Sequence, residues 1–361
     1  MIDKNTSKDP PTDGVEIAQL FRAMVRAVDA GDVTAVKDLL RQNVALANAK
    51  DVNDKTALHI AAEHDHVEIA EILLAAGADL EQSTIWGMTP LQWAANMGSR
   101  KAAEKLLAKG AKLNMWSAAG LGMLDVVQSY WHDGTFRKEG AGQNRYVEVE
   151  KGKYRPISPP VDERTLISCA FYIACRNGHT GVADFLLQKG ADINFRGFFS
   201  APGLHWAAIN GHRETVEFLV NHGADIQLKD EQFGTDALNW AREGCHAEIV
   251  EYLRSKGGRL TIGQAAALGR IDWVESLLAA NPSLINVVDG YGTPLHEAAL
   301  WGQIEVVRFL LAKGADFKIR NRDGETALET AQKAMQGMTR PGKLPTHADI
   351  VDLLSTQGGQ K

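Results

Sequence analysis

The sequence predicts an all-α solenoid of stacked helix–loop–helix units, and two observations carry this prediction. The first is a repeated Gly-Ala-Asp motif or a close relative, with steps of 33, 33 and 34 residues between successive glycines. Those steps join Gly77 to Gly110, Gly190 to Gly223, and Gly223 to Gly257. The second is an ordered set of helix signals inside each step. Because one such helix pair cannot bury its own apolar face, neighbouring units have to stack.

Each unit contains signals for two short helices. In the segment 87–95, Thr89 is a helix cap and Pro90 suits the first turn, where a missing N–H is harmless. The small pair Ala94-Ala95 follows, where a neighbouring helix must approach closely. A Gly-His pair such as Gly211-His212 then ends the first helix, and the glycine of the next Gly-Ala-Asp motif ends the second.

The repeat signature is most complete in residues 51–62 and 292–299, which contain Thr-Ala-Leu-His and Thr-Pro-Leu-His. With the Gly-Ala-Asp series, these segments make the chain similar to the ankyrin-repeat family over nearly its whole length. The resemblance implies β-hairpin tips between units, a concave face, and protein binding as the commonest use. It also implies that His59, His205 and His296 brace the hairpin tips. The Gly-His histidines and His222 have structural positions too, which leaves His64, His132 and His347 without one.

About ten such units are predicted between residues 15 and 359, after a disordered lead of residues 1–14. Two units, after Gly110 and Gly257, are shortened to 24 residues and leave no room for a hairpin tip. A long step after Gly134 predicts an insertion at 137–164, between N-terminal repeats (15–136) and C-terminal repeats (165–359) of one continuous solenoid. The insertion alternates in strand fashion around Lys151-Gly152, which predicts a charged β-hairpin.

Composition and charge exclude several classes of protein. With 39 basic and 45 acidic side chains the formal net charge is −6, which disfavours general nucleic-acid binding. The chain has no apolar run long enough for a membrane helix, and its start does not resemble a signal peptide. Its three cysteines lack CxxC spacing, and no metal-binding histidine pair or phosphate loop is present. We therefore expect a cytoplasmic protein without metal, cofactor, membrane or nucleic-acid partner.

The concave face is predicted to contain the residue before each Ala-Ala pair and the residues three and four positions later. We call this set the groove row. It consists of Ile60, Glu63, His64, Trp93, Asn96, Met97, Ser117, Gly120, Leu121, Ile173, Arg176, Asn177, Trp206, Ile209, Asn210, Trp240, Glu243, Gln264, Ala267, Leu268, Glu297, Leu300 and Trp301. A tryptophan at this position can simply pack between repeats. Four tryptophans beside polar side chains are also the usual composition of a recognition site, so both interpretations stay open.

The predicted function is that of a protein-binding scaffold, which recognises a partner through the aromatic groove and the inserted hairpin. The predicted binding residues are Trp93, Asn96, Tyr172, Arg176, Asn177, Trp206, Asn210, Trp240, Glu243 and Trp301, with Tyr146 and Tyr154 from the hairpin. The alternative is a small organic ligand site or an unusual enzyme of hydrolase or lyase type, with its site in the central groove under the insertion. Tyr172, His205, Glu243 and His132 would then supply the acid–base groups.

Overall fold

A computed structural model describes residues 12–142, 146–150, 153–157, 162–197, 200–337 and 344–358, without the side chains of residues 12–16, 146–157, 357 and 358. In these ranges the α-helices follow one another in ten pairs. The first six pairs are α1 (Thr12–Asp29) and α2 (Val33–Gln42), α3 (Ala57–Glu63) and α4 (Val67–Ala75), α5 (Pro90–Met97) and α6 (Arg100–Ala108), α7 (Met115–Gly120) and α8 (Leu124–Gln128), α9 (Glu163–Arg176) and α10 (Thr180–Gln188), and α11 (Gly203–Ile209) and α12 (Arg213–Asn221). The last four are α13 (Ala237–Glu243) and α14 (Ala247–Ser255), α15 (Ile262–Ala267) and α16 (Ile271–Ala280), α17 (Pro294–Leu300) and α18 (Ile304–Ala312), and α19 (Ala327–Met335) and α20 (Thr346–Gly358). The predicted all-α solenoid is confirmed.

The chain divides into two compact bodies, Met1–Thr235 and Asp236–Lys361. In the N-terminal body the first helices of successive pairs, from α1 to α11, pack on one another in chain order. In the C-terminal body α15, α17 and α19 do the same. The Ala-Ala pairs of these helices are fully buried, for example Ala94 and Ala95 at 0% exposure, which allows the close approach that the sequence predicts.

Capping boxes start many of the first helices. Thr89 Oγ1 accepts a hydrogen bond from the Gln92 N–H, and the Thr89 N–H donates to Gln92 Oε1 at 2.8 Å. Other boxes pair a threonine with the residue three positions later, which is a histidine, a glutamine or a glutamate. They are Thr56 with His59, Thr293 with His296, Thr261 with Gln264, and Thr326 with Glu329. Each box satisfies two backbone N–H donors that the helix start would otherwise leave unpaired.

Three buried histidines each join a first helix to the hairpin tip of the next repeat. The Nε2 atoms of His59, His205 and His296 lie 2.9–3.1 Å from the backbone carbonyls of Met88, Thr235 and Glu325. The bracing role that the resemblance implies for these histidines is therefore confirmed. His347, to which the sequence assigns no structural position, has a structural role as well. It is fully buried, and its Nε2 lies 3.0 Å from the Leu300 carbonyl while its Nδ1 accepts from the Leu344 N–H.

The two shortened repeats begin without a hairpin tip, as predicted. Helix α7 starts directly after its cap Asn114, and α15 starts directly after Thr261. The start of the insertion packs on α7, because the N–H groups of Met115 and Trp116 donate to the carbonyls of residues 140 and 141. A small antiparallel sheet, β1 (Trp131–His132) with β2 (Thr135–Phe136), precedes the insertion and was not predicted.

Two antiparallel strands lie inside the segment predicted as an insertion. Strands β3 (Tyr146–Glu150) and β4 (Lys153–Ile157) pair antiparallel, with Tyr146 opposite Ile157 and Glu150 opposite Lys153. The predicted turn at Lys151-Gly152 lies outside the described residues, as do residues 1–11 of the predicted lead and residues 359–361 of the tail. Helix α1 begins at Thr12, inside the predicted lead. The domain boundaries drawn from the sequence stay predictions.

We expect Thr89→Ala to lower the free energy of unfolding by about 1 kcal/mol, because it removes the side-chain half of a capping box. Urea unfolding followed by circular dichroism measures this change. Thr34→Ala is the matched control, since Thr34 is exposed in the first turn of α2 and makes no cap. Equal stability of the two variants would contradict the role assigned to the box.

Candidate functional site

An aromatic cluster surrounds Trp93 of the groove row. The rings of Trp86 and Trp93 lie with their centroids 5.8 Å apart. The Lys55 ammonium lies 4.7 Å from the centroid of the Trp93 ring and forms an ion pair with Glu63. Both indole N–H groups are buried without a hydrogen-bond partner among the described residues. A cation over an indole is stabilising, whereas a buried N–H group without a partner is unfavourable to the fold.

A second cluster forms around Arg176, at the end of α9. Its Nη1 donates to Asn96 Oδ1 at 3.1 Å, across to α5, and its guanidinium lies 4.1 Å from the centroid of the Trp206 ring. Tyr172, one helical turn earlier, also hydrogen-bonds to Arg176. Four of the predicted binding residues thus meet in one contact network. Arg176 is 9% exposed and Tyr172 is 2% exposed, so the network lies mostly below the surface.

The asparagines of the groove row connect neighbouring first helices. Asn177 Nδ2 donates to the carbonyls of Ala95 and Gly120, both at 2.7 Å. Asn210 Nδ2 donates to the carbonyl of Arg176 at 2.9 Å. A Cβ on Gly120 would come within 2.8 Å of the Ala95 carbonyl oxygen, so glycine is needed for α7 to approach α5 this closely. These amides therefore hold the backbone that positions Arg176 and Trp206.

In the C-terminal body the site residues gather around Arg242, which the sequence analysis missed. The Arg242 guanidinium lies 5.2 Å from the centroid of the Trp301 ring. It forms an ion pair with Glu243 and lies 3.7 Å from Glu297 Oε2. Arg242 does not belong to the groove row, because the row was built from fixed offsets along the helix. The adjacent Trp240 is 6% exposed.

Glu297 is the most strongly perturbed acid of this cluster. Burial raises the pKa of its carboxyl to about 7, and the nearby Arg242 only partly opposes this while Glu243 adds a like charge. Only 9% of the residue is exposed. Near neutral pH the side chain therefore exchanges between a neutral acid and a carboxylate, which alters the charge balance around Trp301.

The four residues named for the catalytic alternative have different surroundings. Tyr172 is buried beside Arg176, and His205 is fully buried with its Nε2 at the Thr235 carbonyl. Glu243 pairs with Arg242 in the C-terminal body. His132 is exposed on β1, with its Nδ1 3.0 Å from the Asp133 carboxylate. Tyr146 and Tyr154 lie on β3 and β4, and their side chains lie outside the described residues.

In the described ranges no three His, Cys, Asp or Glu side chains are arranged so that they could hold a metal ion. Nor do the helices in those ranges contain a stretch with the length and hydropathy of a membrane span.

Paired helices, repeated caps and histidine-braced tips define the class as a helical repeat protein. A family model described as "Ankyrin repeats (3 copies)" matches residues 24–116, 171–263 and 262–360. Since these matches cover most of the chain, the protein belongs to the ankyrin-repeat family. Ankyrin repeats generally serve as scaffolds for protein interaction.

Similar proteins include two curated channel subunits. The Transient receptor potential cation channel subfamily A member 1 homolog of Caenorhabditis elegans is 32% identical over 46% of this chain and 12% of its own length. The human subfamily A member 1 is 27% identical over 86% of this chain and 22% of its own length. The chain therefore spans less than a quarter of either relative.

A solved structure is also similar, the complex of a predatory endopeptidase from Bdellovibrio bacteriovorus with an immunity protein. The matched chain is 28% identical, with a TM-score of 0.41 and coverage of 52% of this chain and 97% of that one.

Proposed function

We propose that this protein is a binding scaffold that recognises a protein partner through the groove row and the inserted hairpin. The observation that carries the proposal is a pair of cations stacked on tryptophans of first helices, Lys55 on Trp93 and Arg176 on Trp206. Stacking of repeats needs only small and apolar side chains at these contacts. Tryptophan and arginine are the residues that most often dominate the energy of protein interfaces.

Surface exposure supports this proposal. Met97, between the two stacks in the groove row, is 45% exposed although it is a large apolar side chain. Asn210 is exposed as well, and Trp93 and Asn96 are half-buried. An apolar group flanked by polar side chains is the arrangement that protein interfaces commonly use at their centre and rim. The hairpin adds further surface, because β3 and β4 form a two-stranded sheet that stacking does not require.

The proposal is tested by comparing capture of partners from a lysate of the source cells. We expect Trp93→Ala, and replacement of residues 146–157 by a short Gly-Ser linker, each to lower recovery of the same partner by about tenfold or more. The captured partner is then purified and its affinity measured by calorimetry. Glu104→Ala is the matched control, since Glu104 is exposed on the second helix α6. Partner recovery that both groove and hairpin variants leave unchanged would refute the proposal.

A further inference from the structure

Arg176 is a buried cation without an acidic partner. Only 9% of the residue is exposed, and no carboxylate among the described residues lies within ion-pair distance of it. Its contacts are instead neutral: the Asn96 amide oxygen, the Met97 sulfur, the Tyr172 hydroxyl and the face of Trp206. A guanidinium stays protonated at any ordinary pH, so the positive charge remains although burial is unfavourable to it.

Other arginines over tryptophans differ in this respect. Arg242 over Trp301 has Glu243 and Glu297 as acidic neighbours, and Arg270 over Trp273 has Asp272 and Glu251. Arg254, which also lies over Trp273, is exposed to water. At the other arginine–indole stacks in the described part of the chain, exposure to water or a nearby carboxylate thus stabilises the charge. Around Arg176 the described residues provide neither.

We propose that a carboxylate of the protein partner supplies the missing charge by binding to Arg176. This inference rests on the proposed function and names the chemistry of the partner. A planar guanidinium matches a carboxylate in geometry and forms its strongest hydrogen bonds with such groups. A phosphate usually recruits several cations, whereas no second lysine or arginine is among the groups that contact Arg176.

The surroundings define how the carboxylate would approach. Met97 Sδ lies 3.9 Å from Arg176 Nη2, and the Met97 side chain is 45% exposed. Methionine is unbranched and flexible, so its side chain can move aside for an entering group and then pack on it. Asn96 and Tyr172 hold the guanidinium in place. The partner segment is therefore an acidic residue next to an apolar residue, with the acid on Arg176 and the apolar side chain on Met97.

Peptide display on the intact protein tests this assignment. A random peptide library is panned against the wild type, and the enriched consensus peptide is synthesised with its acid and with the amide isostere. We expect the consensus to contain Asp or Glu, and both Arg176→Met and the amide peptide to weaken binding by about tenfold or more. In the double-mutant cycle the two changes together should cost no more than either alone. Arg270→Met, a tryptophan-stacked arginine with its own carboxylates, is the matched control and should bind as the wild type does.

The outcomes separate this inference from the proposed function. A consensus without an acid, dependence on a phosphorylated residue, or additive losses in the cycle would overturn the carboxylate assignment. If Trp93→Ala still removed binding of such a peptide, the scaffold proposal would stand without it. A panel of enriched peptides that no groove variant weakens would overturn both. Circular dichroism and the unfolding temperature of Arg176→Met show whether that variant is folded, and Arg176→Lys, which keeps the charge, should recover part of the affinity.

Discussion

Acidification from about pH 7 to about pH 4 will weaken the N-terminal body by roughly 3 kcal/mol through His59 alone. Burial lowers the pKa of this imidazole from 6.5 to about 4, and the hydrogen bond to the Met88 carbonyl only partly opposes the shift. The Thr56 N–H donates to Nδ1, so the ring holds its single proton on Nε2, facing Met88. A second proton on Nδ1 would face that donor and break the capping box.

The direction of this change in stability follows from the pH at which the folded and the unfolded state each bind the proton. The unfolded chain binds it near pH 6.5 and the folded chain only near pH 4, so the stabilisation is complete above that window and is lost as the pH falls through it. Urea unfolding at a series of pH values measures the slope of the free energy of unfolding against pH.

The matched variant for this test is His59→Gln, because Gln92 and Gln264 occupy the same position in two other capping boxes. Its stability should change less with pH than that of the wild type. Thr34→Ala, which removes an exposed side chain that does not titrate, should leave the slope unaltered. Identical slopes for the wild type and His59→Gln would contradict the assignment of acid sensitivity to His59.

The second large effect concerns the C-terminal body, where Glu297→Gln will raise the free energy of unfolding by roughly 3 kcal/mol at about pH 8. Burial raises the pKa of Glu297 from 4.5 to about 7. The folded state therefore keeps the proton over a range in which the unfolded state releases it. The stabilisation that the folded state gains from holding this proton is complete below about pH 4.5 and is lost as the pH rises through 7.

Glutamine copies the protonated acid in size and leaves Arg242 paired with Glu243. The gain in stability should therefore disappear near pH 4.5, where the wild-type side chain is itself neutral in the folded state. Thermal unfolding at the two pH values provides the measurement. Glu305→Gln, an exposed position on α18, is the control. A Glu297→Gln variant that is less stable at both pH values would show that Arg242 requires this carboxylate as its counter-ion.

The repeat could be predicted from the sequence because its signals are local. A threonine cap, a proline in the first turn and a glycine after the last turn each act within a few residues. For the same reason the two shortened repeats and the inserted hairpin could be located from spacing alone. Helix α1 was placed less well, because its first turn precedes residue 15, where the repeat spacing places the start of the first unit.

The candidate site was harder to predict, because its contacts join residues far apart in the chain. Arg176 reaches Asn96 across 80 positions, and the insertion lies between them. Fixed helical offsets found both residues but not the neutral surroundings of the guanidinium. The same offsets missed Arg242, which reaches Trp301 because its long side chain crosses between repeats. His347 was missed because no repeat motif surrounds it.

The capping boxes have a consequence for how such arrays respond to acid. The third helical residue is histidine in α3 and α17, glutamine in α5 and α15, and glutamate in α19. Histidine and glutamine both fill the box and both keep the helix start, yet only histidine titrates, with a pKa of 6.5 in its ordinary state and about 4 in α3 and α17. Exchanging histidine for glutamine at this position therefore changes how the stability of a single repeat depends on pH, while the fold stays the same.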